Sequence, residues 1–110
     1  MDFQALLVAR PAAECASLAE VRAAIDEIDQ TIVGLIARRA EYVQAAAAFK
    51  ADETAVRAPD RYASMLGQRR EWAAAAGLDP DVIEQIYRTL VDYFIARELA
   101  GWRASQGGER

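Results

Sequence analysis

Histidine is absent from the 110-residue chain, and Cys15 is its single cysteine. Without an imidazole, the thiol lacks its usual base, and zinc, haem and imidazole acid/base chemistry are nearly excluded. Chemistry here falls to Arg, Lys, Glu, Asp and Tyr, or to positioning alone. Arg22, Arg39 and Lys50 lie along a long apolar-periodic run, and Arg61 closes the polar interval "FKADETAVRAPDR" that Lys50 enters. Converging cations of this kind suit an anion with more than one carboxylate, because Arg grips carboxylates bidentately and Lys supplies a point charge. The plainer reading is that each cation flanks an apolar seam and reaches out to water. Glu98 lies four residues after Phe94 and four before Trp102, so a carboxylate falls within an apolar stripe. Two readings stand: a buried neutral acid that donates a hydrogen bond, or an edge carboxylate paired with Arg97 or with an arginine of a partner chain.

The elements that must position these residues are helical. "SLAE" at 17–20 has the form of a capping box, and the stripe Leu18, Val21, Ile25, Ile28, Ile32, Leu35, Ile36, Ala40 and Val43 continues it to Phe49. These signals predict a helix over 17–51. Pro59 suits a first helical turn and Gly77 a helix end, with Tyr62, Met65, Leu66, Arg69 and Trp72 between them. Asp79 as N-cap and Pro80 at N1 open a third helix, whose stripe from Ile83 to Trp102 predicts an end near 104. Tyr87, Tyr93, Trp72 and Trp102 read as core aromatics at helical spacing. No strand signal or internal repeat is present. The expected organisation is an extension over 1–16, one helical domain over 17–104 and a disordered tail over 105–110.

The totals narrow the partners. A formal net charge of −4 argues against nucleic acid, and no uncharged apolar run is long enough to span a membrane. The acid at position 2 and the short apolar patch after it argue against a secretory signal, so a cytoplasmic protein is expected. A helix of about 35 residues is about 52 Å long, whereas a compact 100-residue domain has a radius of gyration of about 13 Å. Two shorter helices cannot cover that stripe, so a second copy is expected to, in an intertwined homodimer. Lys50 follows Arg39 by three helical turns and would share its face. Arg22 lies about 25 Å from Arg39 along the axis, so it would reach a shared pocket only from the other chain of an antiparallel dimer.

The segments "LAEVRAAIDEIDQTIVGLIARR", "EYVQAAAAFKA", "APDR", "GLD" and "ELAGWR" resemble the all-helical AroQ class of chorismate mutases, and within it the isochorismate pyruvate-lyase branch, the salicylate-forming enzymes of siderophore pathways. The resemblance covers nearly the whole chain after position 17. It implies an all-α fold of three helices, one very long, in an intertwined homodimer whose two sites are each completed by the other subunit. It also implies a small dicarboxylate substrate and no cofactor or metal. By position, Arg22 is similar to the arginine lent to the partner's site, Arg39 to the one that grips a substrate carboxylate and Arg61 to the loop arginine. Lys50 matches the lysine beside the enolpyruvyl ether oxygen, and Glu98 falls where most members have Gln as second donor to that oxygen. As a neutral acid Glu98 can still donate, which would favour activity at lower pH. Ala58 and Tyr62 stand where ordinary mutases place acids around the loop arginine, and Phe94 where they often have a small hydroxyl residue. The resemblance therefore implies isochorismate pyruvate-lyase activity, cofactor-free elimination of pyruvate to leave salicylate, with weak chorismate mutase activity as a possible accompaniment. The alternatives are a chorismate mutase, a mutase for an amino-substituted chorismate, or a non-catalytic helical dimerisation module.

Overall fold

A computed structural model describes residues 11–108, with side chains described as far as residue 105. Residues 1–10 of the expected N-terminal extension lie outside the described part, as do 109–110 of the tail. A 3-10 turn over Ala12–Glu14 precedes four α-helices: α1 (Leu18–Ala47), α2 (Glu53–Arg57), α3 (Pro59–Ala75) and α4 (Pro80–Gly108). The three long helices follow the order expected, and no strand occurs among the described residues. The five-residue α2 is an addition within the polar interval. α4 runs past 104 to Gly108, through part of the stretch expected to be disordered. The chain divides into two compact units, 1–41 and 42–110.

In the first unit α1 starts where the capping box lies. Ser17 Oγ accepts from the Glu20 amide at 3.1 Å, and Glu20 Oε2 accepts from the Ala16 amide at 2.6 Å. The carboxylate thus reaches one residue farther back than the amide of Ser17 itself, still satisfying a donor at the helix entrance. No residue of α1 is buried. Leu18, Val21, Ile25, Ile28, Ile32 and Leu35 are all exposed, so the apolar stripe faces outward within this chain.

The second unit holds the core: Val56, Met65, Leu66, Ala73, Phe94 and Leu99 are buried, and α3 packs along α4. Their connection is a glycine-capped turn. Gly77 takes φ +78, and the Leu78 and Gly77 amides donate to Ala73 and Ala74 carbonyls at 2.8 and 3.1 Å. A left-handed residue after a helix recovers orphan carbonyls in this way and favours glycine. Asp79 Oδ1 then accepts from the Asp81 amide at 2.9 Å and opens α4. Arg70 on α3 bridges to Asp81 and Glu84 at 2.8 and 3.4 Å. Arg69 lies over the rings of Trp72 and Tyr87. Of the four aromatics expected in the core, Trp72 and Tyr93 are exposed within this chain; helical spacing tells which residues share a face, not what covers it.

Candidate active site

Lys50 is not on α1. The helix stops at Ala47, and the Ala48, Phe49 and Lys50 amides donate to the Ala45, Ala46 and Ala47 carbonyls at 3.3, 3.0 and 3.2 Å. Such i→i+3 bonds tighten a final turn and end the α-helical register. The expected helix to 51, with Lys50 on the Arg39 face by continued periodicity, is therefore corrected. The side chain turns instead to α4, where Lys50 Nζ donates to Glu98 Oε1 at 2.8 Å. The Glu98 side chain is 4% exposed and that of Lys50 23%. Glu98 is thus inside the stripe rather than at its edge, and its partner is Lys50, whereas Arg97 donates to the Tyr93 hydroxyl at 3.4 Å.

The segment after Lys50 is held from both ends. Asp52 Oδ1 caps α2 by accepting from the Ala55 amide at 2.8 Å. Val56 is buried, and Arg103 Nε donates to Glu53 Oε1 at 2.6 Å. That hydrogen bond, with the guanidinium charge behind it, holds the Glu53 carboxyl below its ordinary range. Ala58 ends α2 and begins α3 in the left-handed region, at φ 42 and ψ 63. A side chain in that backbone is strained, since the left-handed region costs about 1–2 kcal/mol per L-residue. Arg61 sits in the first turn of α3 and is exposed. Beside it, Tyr62 donates to Asp92 Oδ1 at 2.7 Å; burial first, and the Asp92 hydrogen bond second, raise its phenol above the ordinary value.

α2, α3 and α4 also bound a cleft of about 680 Å³, whose lining includes Arg57, Tyr62, Leu66, Ile95, Leu99 and Arg103. In the first unit, Arg22 is exposed on α1, and Arg39 is half-buried with its Nη1 atom shielded from solvent. Among the described residues no cluster of His, Cys, Asp or Glu side chains is arranged to hold a metal ion, and no helix is long and apolar enough to cross a membrane. Of the sequence candidates, the structure brings Lys50 and Glu98 into direct contact. Sequence reasoning missed the Glu53–Arg103 and Tyr62–Asp92 pairs. Asp52 followed by Glu53 was a usable helix-start signal for α2, but partners 50 and 30 positions apart leave no local trace.

Residues 21–99 match the model of the family described as chorismate mutase type II. The chain belongs to that family. It is 43% identical over 94 residues to an isochorismate pyruvate lyase of Pseudomonas aeruginosa, covering 86% of this chain and 93% of that protein. It is also 36% identical over 77 residues to the T-protein of Enterobacter agglomerans, covering 69% of this chain and 21% of that larger protein. Membership gives the Lys50–Glu98 contact a context: both residues fall within the family match, as do Arg22, Arg39 and Arg61.

Proposed function

We propose that the protein is an isochorismate pyruvate-lyase acting as a homodimer. Its likeness to the Pseudomonas aeruginosa lyase over 93% of that protein's length carries this reading. Isochorismate loses its enolpyruvyl group in one cyclic step: the ether C–O bond breaks, a ring hydrogen moves to the methylene of the departing group, and salicylate and pyruvate result. No outside acid, base, oxidant or cofactor is required for the atoms to balance. The protein supplies a fixed conformer and charge complementary to the ether oxygen.

Lys50 is the electrostatic catalyst in this reading, with its ammonium directed at the oxygen that gains negative charge. At rest that ammonium is bonded to Glu98, so the ether oxygen must compete for a donor already engaged. Glu98 stands beside the same oxygen in this reading and holds the Lys50 ammonium in place before substrate arrives. Arg39 and Arg61 take the substrate carboxylates, and Arg22 enters from the second chain. The outward stripe of α1 supports that arrangement: exposed large apolar residues along one helix are best covered by another copy of the same surface.

The family's own description favours a second reading, chorismate mutase. Against it, Ala58 and Tyr62 carry no carboxylate at the positions three before and one after the loop arginine, and Tyr62 directs its hydroxyl to Asp92. Purified protein incubated separately with isochorismate and with chorismate distinguishes the two. Release of salicylate and pyruvate from isochorismate is expected, and prephenate from chorismate with no salicylate from isochorismate would overturn the lyase reading.

A further inference from the structure

Two ion pairs of opposite polarity fasten the segment after α1 to α4. Lys50 donates to Glu98, and three residues on, Glu53 accepts from Arg103, which stands five residues beyond Glu98 and so about 7.5 Å farther along the helix. The two contacts differ in what the reaction asks of them. When Lys50 turns to a substrate oxygen, its bond to Glu98 is shared or broken. Glu53–Arg103 involves no group with a role at the reacting atoms and can persist throughout.

The segment has little order of its own. α2 is five residues long, far below the length at which an isolated helix is stable, and its exit residue Ala58 is in a strained left-handed conformation. Order must come from tertiary contacts, and beyond Lys50 itself these include burial of Val56 and the hydrogen-bonded ion pair of Glu53 with Arg103. Val56 packs without direction, since apolar burial is non-directional. The charge-assisted bond at 2.6 Å fixes register.

We infer that Glu53 and Arg103 form a positioning clasp that holds Lys50 in register as its ammonium passes from Glu98 to the substrate. This rests on the proposed role of Lys50. The clasp acts through Lys50 and not on substrate, so its loss shows in turnover rather than affinity. An error of about 1 Å at a reacting centre can cost a hundredfold, and Val56 limits the error here, so a loss of about tenfold in kcat is expected.

The experiment uses the full chain as Arg103→Gln, Glu53→Gln, the double variant, and the charge-reversed pair Glu53→Arg with Arg103→Glu. Each single variant is expected to lose about tenfold in kcat with KM within about twofold, the double variant no more than either single, and the reversed pair to recover most of the loss. A kcat within about twofold of wild type in Arg103→Gln, or losses that add in the double variant, would overturn the clasp. Hydrogen exchange of the segment 51–58 supplies a readout independent of substrate. Faster exchange in Arg103→Gln with an unchanged melting temperature is expected, and unchanged exchange rejects the inference. Absence of any wild-type turnover of isochorismate would instead reject the proposed activity, leaving the exchange result to decide on the clasp.

Discussion

The stretch of α1 up to Glu41 and the unit from Tyr42 onward use apolar residues in opposite ways. The first carries Ile25, Ile28, Ile32 and Leu35 to the surface with no buried residue. The second buries Val56, Met65, Leu66, Phe94 and Leu99 where its helices pack on one another, and places Lys50 against Glu98. The contrast separates two tasks. One region builds its own core and sets a partly buried charged pair against it, while the other presents a row of apolar side chains and the cation Arg22. A division of this kind fits a site assembled from two chains, each giving its core unit to one site and its α1 cation to the other.

The sharpest way to break the comparison is at the charged pair. Lys50→Ala is expected to lower kcat by about 100- to 1000-fold, the usual cost of removing one electrostatic donor from a transition state, with a much smaller effect on KM. Steady-state kinetics reads the split, and a loss confined to KM would assign Lys50 to binding alone. Next in size is the α1 stripe. Ile28→Arg combined with Ile32→Arg places two charges on the proposed interface, and sedimentation is expected to show a monomer that retains helix but loses turnover. A dimer of unchanged mass would remove the stripe from the interface.

Glu98→Gln sharpens the account of the second unit. Gln offers the ether oxygen a neutral donor and frees the Lys50 ammonium from its carboxylate, so kcat should rise above wild type with KM little changed. A kcat below wild type would give the Glu98 carboxylate a supporting role instead. The smallest effect is expected at Tyr62→Phe, which removes one hydrogen bond worth about 0.5–1.5 kcal/mol. Burial and Asp92 raise the phenol in the folded chain. Its contribution is therefore fully present below the unfolded value near 10 and is lost as pH rises through the higher folded one. Alkaline unfolding monitored by circular dichroism should be less steep above pH 10 in the variant, and identical alkaline limbs would contradict the assignment.

Much of the helical frame is legible in sequence because its signals are local. Ser17 with Glu20, Pro59, Gly77 and Asp79 with Pro80 each satisfy or remove backbone groups within a few residues, so the starts of α1, α3 and α4 and the end of α3 follow from short patterns. The end of α1 does not, since "AAAFKAD" contains neither Gly nor Pro and its apolar spacing simply runs on. α2 escapes for the opposite reason: five residues are too few for a period to show. Lys50 and Glu98 stand out by type and position, yet their contact spans 48 residues and depends on how the turn after Ala47 leaves the helix. Trp72 and Tyr93 mark the remaining limit, because a stripe read from spacing is compatible with cover from the same chain or from another.

The proposed two-chain site is tested most directly by mixing two proteins that are each expected to be inactive. Arg22→Ala damages the cation lent by α1, and Lys50→Ala damages the core unit, so each homodimer has two defective sites. In a mixed dimer one site receives both defects and the other receives neither. Unfolding and refolding an equimolar mixture should therefore restore about a quarter of wild-type isochorismate turnover, from half the dimers carrying one intact site of two. A mixture as inactive as either parent would contradict the division of labour between α1 and the unit that follows it.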